Sequence, residues 1–237
     1  MALVFLAAGT VKGISGMGLP TVSMALLGLL MAPAQAAALM VLPALGTNLA
    51  QCVGPHFRPL ARRLWPLWAG LLLLTVASPL PGLGAGSGVA RLALGAVLVA
   101  YGSWGLARPA LPDFGRHRPW VGGVVGALTG IVTAATGVFV LPLVPYLQAS
   151  GFARDELIQA LGLSFAVATI ALALRLGSIG AAGLSLSAPA LIVAIAAAFA
   201  GLWAGTALRR RLPPAAFQRA LYAVLVLLGI MMLARAF

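Results

Sequence analysis

Ten apolar stretches, separated by short segments rich in glycine, proline or arginine, run along the chain. They fall at about residues 1–14, 18–32, 34–54, 64–80, 88–107, 120–134, 137–149, 153–175, 187–207 and 215–236. A helix needs roughly 20 apolar residues to cross the hydrocarbon core of a bilayer, and the longer stretches reach that length. A membrane β-barrel would show short segments of alternating polarity instead. The pattern therefore predicts an all-α polytopic membrane protein.

The order of the stretches predicts an internal duplication. Two short stretches followed by three long ones make up a first membrane repeat at 1–107. A polar linker follows at 108–119, and the same order returns in a second membrane repeat at 120–237. Duplicated halves of this kind are a common architecture of secondary transporters.

A glycine pattern precedes a break in each half. Gly9 and Gly13 stand four residues apart in the first half, and Gly126 and Gly130 do so in the second. Glycines at this spacing let helices pack closely, which explains the pairs by themselves. Close packing does not explain why a glycine-containing break follows at a similar place in both halves, so the duplication remains the better interpretation.

The first two stretches of each half are predicted to form a hairpin of short helices. A 14-residue helix is about 21 Å long, against a hydrocarbon core of about 30 Å. The pair is either one broken span or a hairpin that returns to its starting side. Only the hairpin puts the arginine-rich loops of both halves on one side, as the positive-inside rule requires. The arginines concerned are Arg58, Arg62, Arg63, Arg108, Arg116, Arg118, Arg154, Arg209, Arg210 and Arg211.

This topology makes the two repeats inverted, each a short broken-helix hairpin plus three spanning helices. We expect the basic loops in the cytoplasm, both termini on the opposite side, and the protein in a bacterial inner membrane.

Composition agrees with this fold class. Of the 237 residues, 62% are hydrophobic and 8% are charged, whereas soluble domains average about 25% charged residues. A soluble enzyme and a disordered chain are therefore excluded. The net charge of +12 would indicate nucleic-acid binding in a soluble protein. Here the arginines serve the positive-inside rule, so the expected partner is the lipid bilayer and not nucleic acid.

The break in each half is a candidate anion site. The first break runs from Ser15 to Pro20 and the second from Thr133 to Gly137. Free N–H groups at the start of the following helix carry partial positive charge and bind anions. The candidate residues are Ser15, Gly16, Gly18, Leu19, Thr133, Thr136, Gly137 and Val138. For the two threonines, capping of their own helix is the alternative.

Five polar or thiol residues inside apolar stretches add candidates. Lys12 is the only lysine and lies beside the first break, where a charge is costly and indicates function. Its alternative is snorkelling to an interface. Asn48 and Gln51 share one helix face, either for a ligand or for hydrogen bonds between helices. Ser164 takes the position of Asn48 in the second half. Cys52 is either a small buried apolar residue or a further site residue.

The acidic residues disfavour cation transport. Asp113, Asp155 and Glu156 are the only ones, and all fall in predicted cytoplasmic loops, so no carboxylate is available for a cation path or a carboxylate proton relay. A single cysteine excludes an internal disulfide, and His56 and His117 have no partner at metal-ligand spacing. We expect no metal, no cofactor and a small anionic substrate.

Three motifs resemble those of one transporter family. They are Gly9-x3-Gly13-x2-Gly16-x-Gly18-Leu19-Pro20, Thr47-Asn48-x2-Gln51 and Thr136-Gly137-x4-Pro142-x3-Tyr146-Leu147. Together with the duplicated layout they resemble, over essentially the whole chain, the 4-toluenesulfonate uptake permease (TSUP) family, which includes the sulfite exporter TauE/SafE type. The resemblance implies secondary transport of small sulfur-containing anions: organosulfonates such as sulfoacetate or taurine, sulfite and thiosulfate.

We expect a secondary transporter that works by alternating access and holds the anion at broken-helix N-termini near the membrane midplane. Alternatives are a transporter or channel for a non-sulfur anion such as a carboxylate and, more remotely, an integral-membrane enzyme. No residue pattern identifies a coupling ion. The predicted substrate-binding residues are Lys12, Ser15, Gly16, Gly18, Leu19, Asn48, Gln51, Thr133, Thr136, Gly137, Val138 and Ser164.

Overall fold

The computed structural model describes residues 1–80, 82–84, 87–107, 119–180, 187–209, 211 and 213–235. Within these ranges the chain is helical and contains no β-strand, which confirms the all-α fold class. The α-helices are α1 (Ala2–Ser15), α2 (Leu19–Leu30), α3 (Pro33–Cys52), α4 (Phe57–Val76), α5 (Ser87–Ala107), α6 (Pro119–Thr136), α7 (Leu143–Ala149), α8 (Arg154–Ser178), α9 (Ala188–Leu208) and α10 (Pro214–Ala234). Outside the described residues lie nearly all of the predicted linker and the candidates Arg108, Asp113, Arg116, His117, Arg118 and Arg210.

The first half follows the predicted pattern closely. α1 and α2 are the expected short pair, with 14 and 12 residues, and proline stands in the first turn of both α2 and α3, where its missing N–H is tolerated. One boundary differs. α4 begins at Phe57, so Arg58, Arg62 and Arg63 lie in its first two turns and not in a loop. Arginine is a good helix former, which explains this early start.

The second half departs from the expected pair of short helices. α6 has 18 residues, one turn more than α1, and it is long and apolar enough to cross a membrane. α7 has only seven residues, because the chain from 137 to 142 is not helical. Pro142 disfavours helical geometry at Leu141, and the β-branched Val138 and Val140 add to this preference for extended backbone.

In the part of the chain that the structure describes, five helices have the length and apolarity needed to cross a membrane. They are α5 over Gly88–Ala107, α6, α8, α9, and α10 over Ala215–Ala234. α3 and α4 are of comparable length, with 20 residues each.

Glycines bring α1 and α9 into close contact. Gly9 and Gly13 of α1 face the backbone of α9, and Gly201 and Gly205 of α9 face the backbone of α1. A Cβ atom at any of these four positions would overlap a backbone carbonyl oxygen. The close-packing role expected for Gly9 and Gly13 is therefore confirmed.

α6 packs against α4 in the same manner. Gly126 and Gly130 face the α4 backbone at Leu67 and Leu71, and Gly70 of α4 faces α6. Residue numbers rise together along both helices of this pair, as they also do along α1 and α9. The helices of each pair are thus parallel.

Two further pairs are antiparallel. Along α3 and α8, Gln51 lies beside Gly162 and Asn48 is bonded to Thr169, so the numbers run in opposite directions. α5 and α10 also pack antiparallel to each other. If each helix of α1–α5 is exchanged with the helix at the same place in α6–α10, the α1–α9 contact becomes the α6–α4 contact. The α3–α8 and α5–α10 contacts stay the same under this exchange.

Candidate functional site

Lys12 is buried inside the helix bundle. The residue is 1% exposed, and its Nζ donates a hydrogen bond to Thr47 Oγ1 at 3.1 Å and another to Asn48 Oδ1. Both partners lie on α3 and are fully buried. Snorkelling to an interface is therefore wrong for this lysine, because its ammonium group is held by two residues of the bundle interior.

Asn48 extends this network to the second half of the chain. Its Nδ2 donates to Thr169 Oγ1 at 3.2 Å, and Thr169 donates in turn to the Phe165 carbonyl at 2.7 Å. The chain Lys12–Asn48–Thr169 therefore links α1, α3 and α8. Thr169 is a member of this network that sequence reasoning missed.

The residues at which α3 and α8 begin explain why Thr169 was not predicted. α8 begins 121 residues after α3, at Arg154 against Pro33, and the same interval leads from Asn48 to Thr169, not to Ser164. Counted from the helix starts, Thr169 and not Ser164 takes the position of Asn48 in α8. Ser164 Oγ instead accepts a hydrogen bond from Nε1 of a tryptophan on α4 at 2.9 Å, so it lies outside the lysine network.

The first break is a tight glycine turn. α1 ends at Ser15, and Gly16 adopts φ 80°, with its N–H donating to the Lys12 carbonyl at 2.7 Å. Ser15 Oγ accepts from the Met17 N–H at 3.3 Å and donates to a carbonyl of α1. Gly18 then adopts φ 108° and caps α2, which starts at once with Leu19. These positive φ values explain the need for glycine at both positions.

The second break repeats this turn but not the helix after it. Gly137 has φ 72°, its N–H donates to the Thr133 carbonyl at 2.8 Å, and the Val138 N–H donates to Thr136 Oγ1 at 3.1 Å. The hydroxyls of Thr133 and Thr136 also donate to the carbonyls four residues earlier in α6. No helix N-terminus follows directly, because α7 begins only at Leu143.

The two breaks contact α3 at different levels. The Gly16 carbonyl accepts a hydrogen bond from Gln51 Nε2 at 3.0 Å, whereas Gly137 lies against Met24 and Ala37. Ala37 and Gln51 are 14 residues apart, about 21 Å along a helix. The two breaks therefore do not face one cavity, and the lysine network lies on the side of the first break.

Thr21 has a buried hydroxyl without a partner and was also missed. The residue is 1% exposed, and its Oγ1 is one of two buried side-chain oxygens with no hydrogen bond in the described part of the chain; the other is Gln51 Oε1. All other threonines donate to the carbonyl four residues earlier. Thr21 does not, because α2 begins at Leu19 and the carbonyl of Met17 precedes the helix.

The first break joins α1 to α2, and the two helices pack against each other. Val11 of α1 and Val22 of α2 line one groove together. The first N–H groups of a helix have no acceptor within it. The start of α2 therefore presents N–H groups and the free Thr21 hydroxyl directly after the glycine turn that ends α1.

A cavity of about 330 Å³ adjoins Gln51. Its walls include the turn after α3 and the side chains of Asp155, Ile158 and Gln159. The buried Gln159 holds that turn: its Nε2 donates to the carbonyls of Cys52 and Gly54, and its Oε1 accepts from the His56 N–H at 3.1 Å. Gln51 stands one helical turn beyond Asn48, between this cavity and the lysine network.

Cys52 has an ordinary structural contact. It is partly exposed, and its Sγ donates to the Asn48 carbonyl at 3.3 Å. Among the residues that the structure describes, no group of three or more histidine, cysteine, aspartate or glutamate side chains is arranged to hold a metal ion.

Comparison with known proteins gives one match. The family model described as Sulfite exporter TauE/SafE matches residues 1–232, while no curated protein and no solved structure matches the chain. The match covers nearly the whole chain and agrees with its apolar helices, which make it an integral, multi-pass membrane protein. The chain belongs to the sulfite exporter TauE/SafE family of membrane transporters.

Proposed function

We propose that the protein is a secondary transporter that carries a small sulfur-containing anion by alternating access and binds the anion beside Lys12. The buried amino group of Lys12 is the observation that carries this proposal, because both of its hydrogen-bond acceptors, Thr47 and Asn48, are uncharged and leave its protonated form without a counter-charge. An ion buried without a counter-charge costs several kcal/mol. A bound anion is the partner that would balance it.

The sequence supports this by the absence of any carboxylate near Lys12. The helices packed against α1, namely α2, α3, α9 and α10, contain no aspartate or glutamate, and neither does α1 itself. Asp155 and Glu156 lie in the first turn of α8, and the third acid, Asp113, precedes α6. The positive charge is thus available to a ligand.

The start of α2 supplies further donors for the anion. In this proposal the Thr21 hydroxyl and the N–H groups of Leu19 and Thr21 would turn towards the bound anion, and Gln51 would close the far side through its bond to Gly16. A sulfonate presents three oxygen atoms, so it can accept from several donors at once. Selectivity for sulfur anions rests on the family membership.

The remaining predicted residues take supporting roles in this proposal. Ser15, Gly16 and Gly18 shape the first break, as their backbone geometry indicates. The others use their polar groups within the protein and are proposed to build the scaffold: Thr133, Thr136, Gly137, Val138 and Ser164.

Alternating access would follow from two inverted repeats, α1–α5 and α6–α10. The helix contacts support this arrangement, since helices at equivalent places in the halves pack antiparallel: α3 with α8 and α5 with α10. A two-fold axis in the membrane plane produces such pairs. The lysine network would then lie between the halves, because Lys12 belongs to the first and Thr169 to the second.

We further propose the orientation expected from the positive-inside rule, in a bacterial inner membrane with both termini outside the cytoplasm. The cavity beside Gln51 would open to the cytoplasm, because it adjoins the turn that leads into the arginines of α4. The hydrogen bond from Gln51 to Gly16 would close the lysine site towards that cavity.

Counterflow in proteoliposomes tests the proposal. Vesicles are preloaded with sulfite, thiosulfate, taurine, sulfoacetate, isethionate or acetate, and uptake of the labelled anion is followed. We expect sulfur anions to stimulate uptake, and Lys12→Met to reduce it by at least about tenfold, the effect of losing a charged hydrogen bond. Ser164→Ala, outside the lysine network, is the control and should retain counterflow.

Each other outcome has a definite meaning. Counterflow with acetate alone would remove the sulfur part of the proposal, and steady flux without counterflow would indicate a channel. An absence of flux with every anion would contradict the transport function.

A further inference from the structure

We propose that Lys12 carries a proton together with the anion, so that the protein is an anion–proton symporter. This inference rests on the proposed function and adds a coupling ion to it. It starts from the number of hydrogen bonds that the lysine makes inside the bundle.

The Lys12 Nζ has two acceptors in the described part of the chain, Thr47 Oγ1 and Asn48 Oδ1. A neutral amine has two N–H groups and is fully satisfied by these two partners. An ammonium group has a third N–H, which would need a third acceptor. The bound anion is that acceptor, so the protonated form belongs to the loaded site and the neutral form to the empty one.

No side chain on the neighbouring helices α2, α3, α9 and α10 would balance a positive charge on Lys12 if it stayed protonated in the empty site. α2 and α9 carry no titratable side chain. α3 carries Cys52, whose thiol bonds to a carbonyl, and α10 carries the exposed Arg219 and Tyr222, which packs edge-on against a tyrosine of α5. None of these supplies a negative charge when the site is empty.

Proton binding and anion binding therefore assist each other, and by linkage the effect is mutual. When the anion arrives, Nζ takes a proton from water on the side of entry. When the anion leaves, Nζ returns the proton to water on the other side. The empty carrier then reorients with an uncharged lysine, which avoids moving an unpaired buried charge. For a monoanion the cycle carries no net charge.

Isethionate, a monoanion, serves as the probe in proteoliposomes with the membrane potential clamped. We expect an inwardly directed proton gradient to drive net uptake in the wild type. Lys12→Arg keeps a permanent positive charge at this position. Counterflow of isethionate should continue in this variant, because the carrier holds an anion during transport in both directions. Net uptake should fall by at least about tenfold, because the empty carrier holds an unpaired charge.

Several results would overturn the inference while leaving the transport function intact. One is wild-type uptake that does not depend on the proton gradient. Another is an equal loss of counterflow and net uptake in Lys12→Arg, which is the result expected if the lysine has only a structural role. Cys52→Ser is the matched control. Loss of proton-driven uptake in this variant would indicate that the thiol, and not Lys12, carries the proton. Absence of wild-type counterflow would instead contradict the proposed function itself.

A measurement on the wild type keeps the inference testable if the arginine variant does not fold. Isethionate is added to the detergent-purified protein in weak buffer with a pH indicator. Uptake of protons from the medium on binding is expected. Binding of isethionate without proton uptake would overturn the inference.

Discussion

Replacing Thr21 with valine should affect the empty and the loaded protein in opposite directions. Valine keeps the shape of threonine but removes a buried hydroxyl that has no partner. An unsatisfied buried hydroxyl costs about 1–3 kcal/mol, so Thr21→Val should stabilise the empty protein by roughly this amount. A hydrogen bond to a charged ligand contributes about 1.5–3 kcal/mol. Anion affinity should therefore fall by roughly tenfold to a hundredfold.

Thermal unfolding in detergent with and without isethionate, together with a direct binding isotherm, measures both effects. Thr75→Val is the matched control, because Thr75 is fully buried and its hydroxyl donates to the Leu71 carbonyl at 2.7 Å. The control should lose a little stability and keep its affinity. The reasoning is refuted if Thr21→Val destabilises the empty protein or binds isethionate as tightly as the wild type.

Three further substitutions probe the scaffold and the closure of the site. Gly13→Leu should lower the free energy of unfolding by at least about 3 kcal/mol, because the new side chain meets the α9 backbone. Gly177→Ala is the control and should not lower it, because the space around Gly177 is open. Thermal unfolding compares the two variants. Ser164→Ala should lower stability by about 1 kcal/mol without changing anion affinity, since only a tryptophan loses its acceptor. Gln51→Ala should speed anion release about fivefold in filter-binding assays, because the hydrogen bond to Gly16 is lost. An unchanged release rate would contradict the proposal that this bond closes the lysine site.

The helices of the first half could be predicted well from the sequence because proline and glycine mark their ends. Gly16 and Gly18 need positive φ values, and Pro20 and Pro33 stand in first turns. The same approach failed after Gly137, where an apolar stretch forms a short helix preceded by non-helical backbone. Apolar periodicity alone does not distinguish these two conformations.

The site was predictable where a polar residue is rare and costly in a membrane. Lys12 and Asn48 stand out for that reason, and the structure joins them by a hydrogen bond. Thr21 and Thr169 do not stand out, because threonine in a helix ordinarily bonds its own backbone. Only the start of α2 shows that Thr21 lacks such a bond, and only the alignment of α3 with α8 pairs Thr169 with Asn48.

Binding of a sulfur anion at Lys12 is the central claim, and a thermal-shift titration of the wild type and Lys12→Met tests it most directly. A ligand that binds only the folded state raises the melting temperature with its concentration. Sulfite or a sulfonate should stabilise the wild type and leave Lys12→Met nearly unchanged. Equal stabilisation of both proteins, or none in the wild type with any sulfur anion, would contradict the claim.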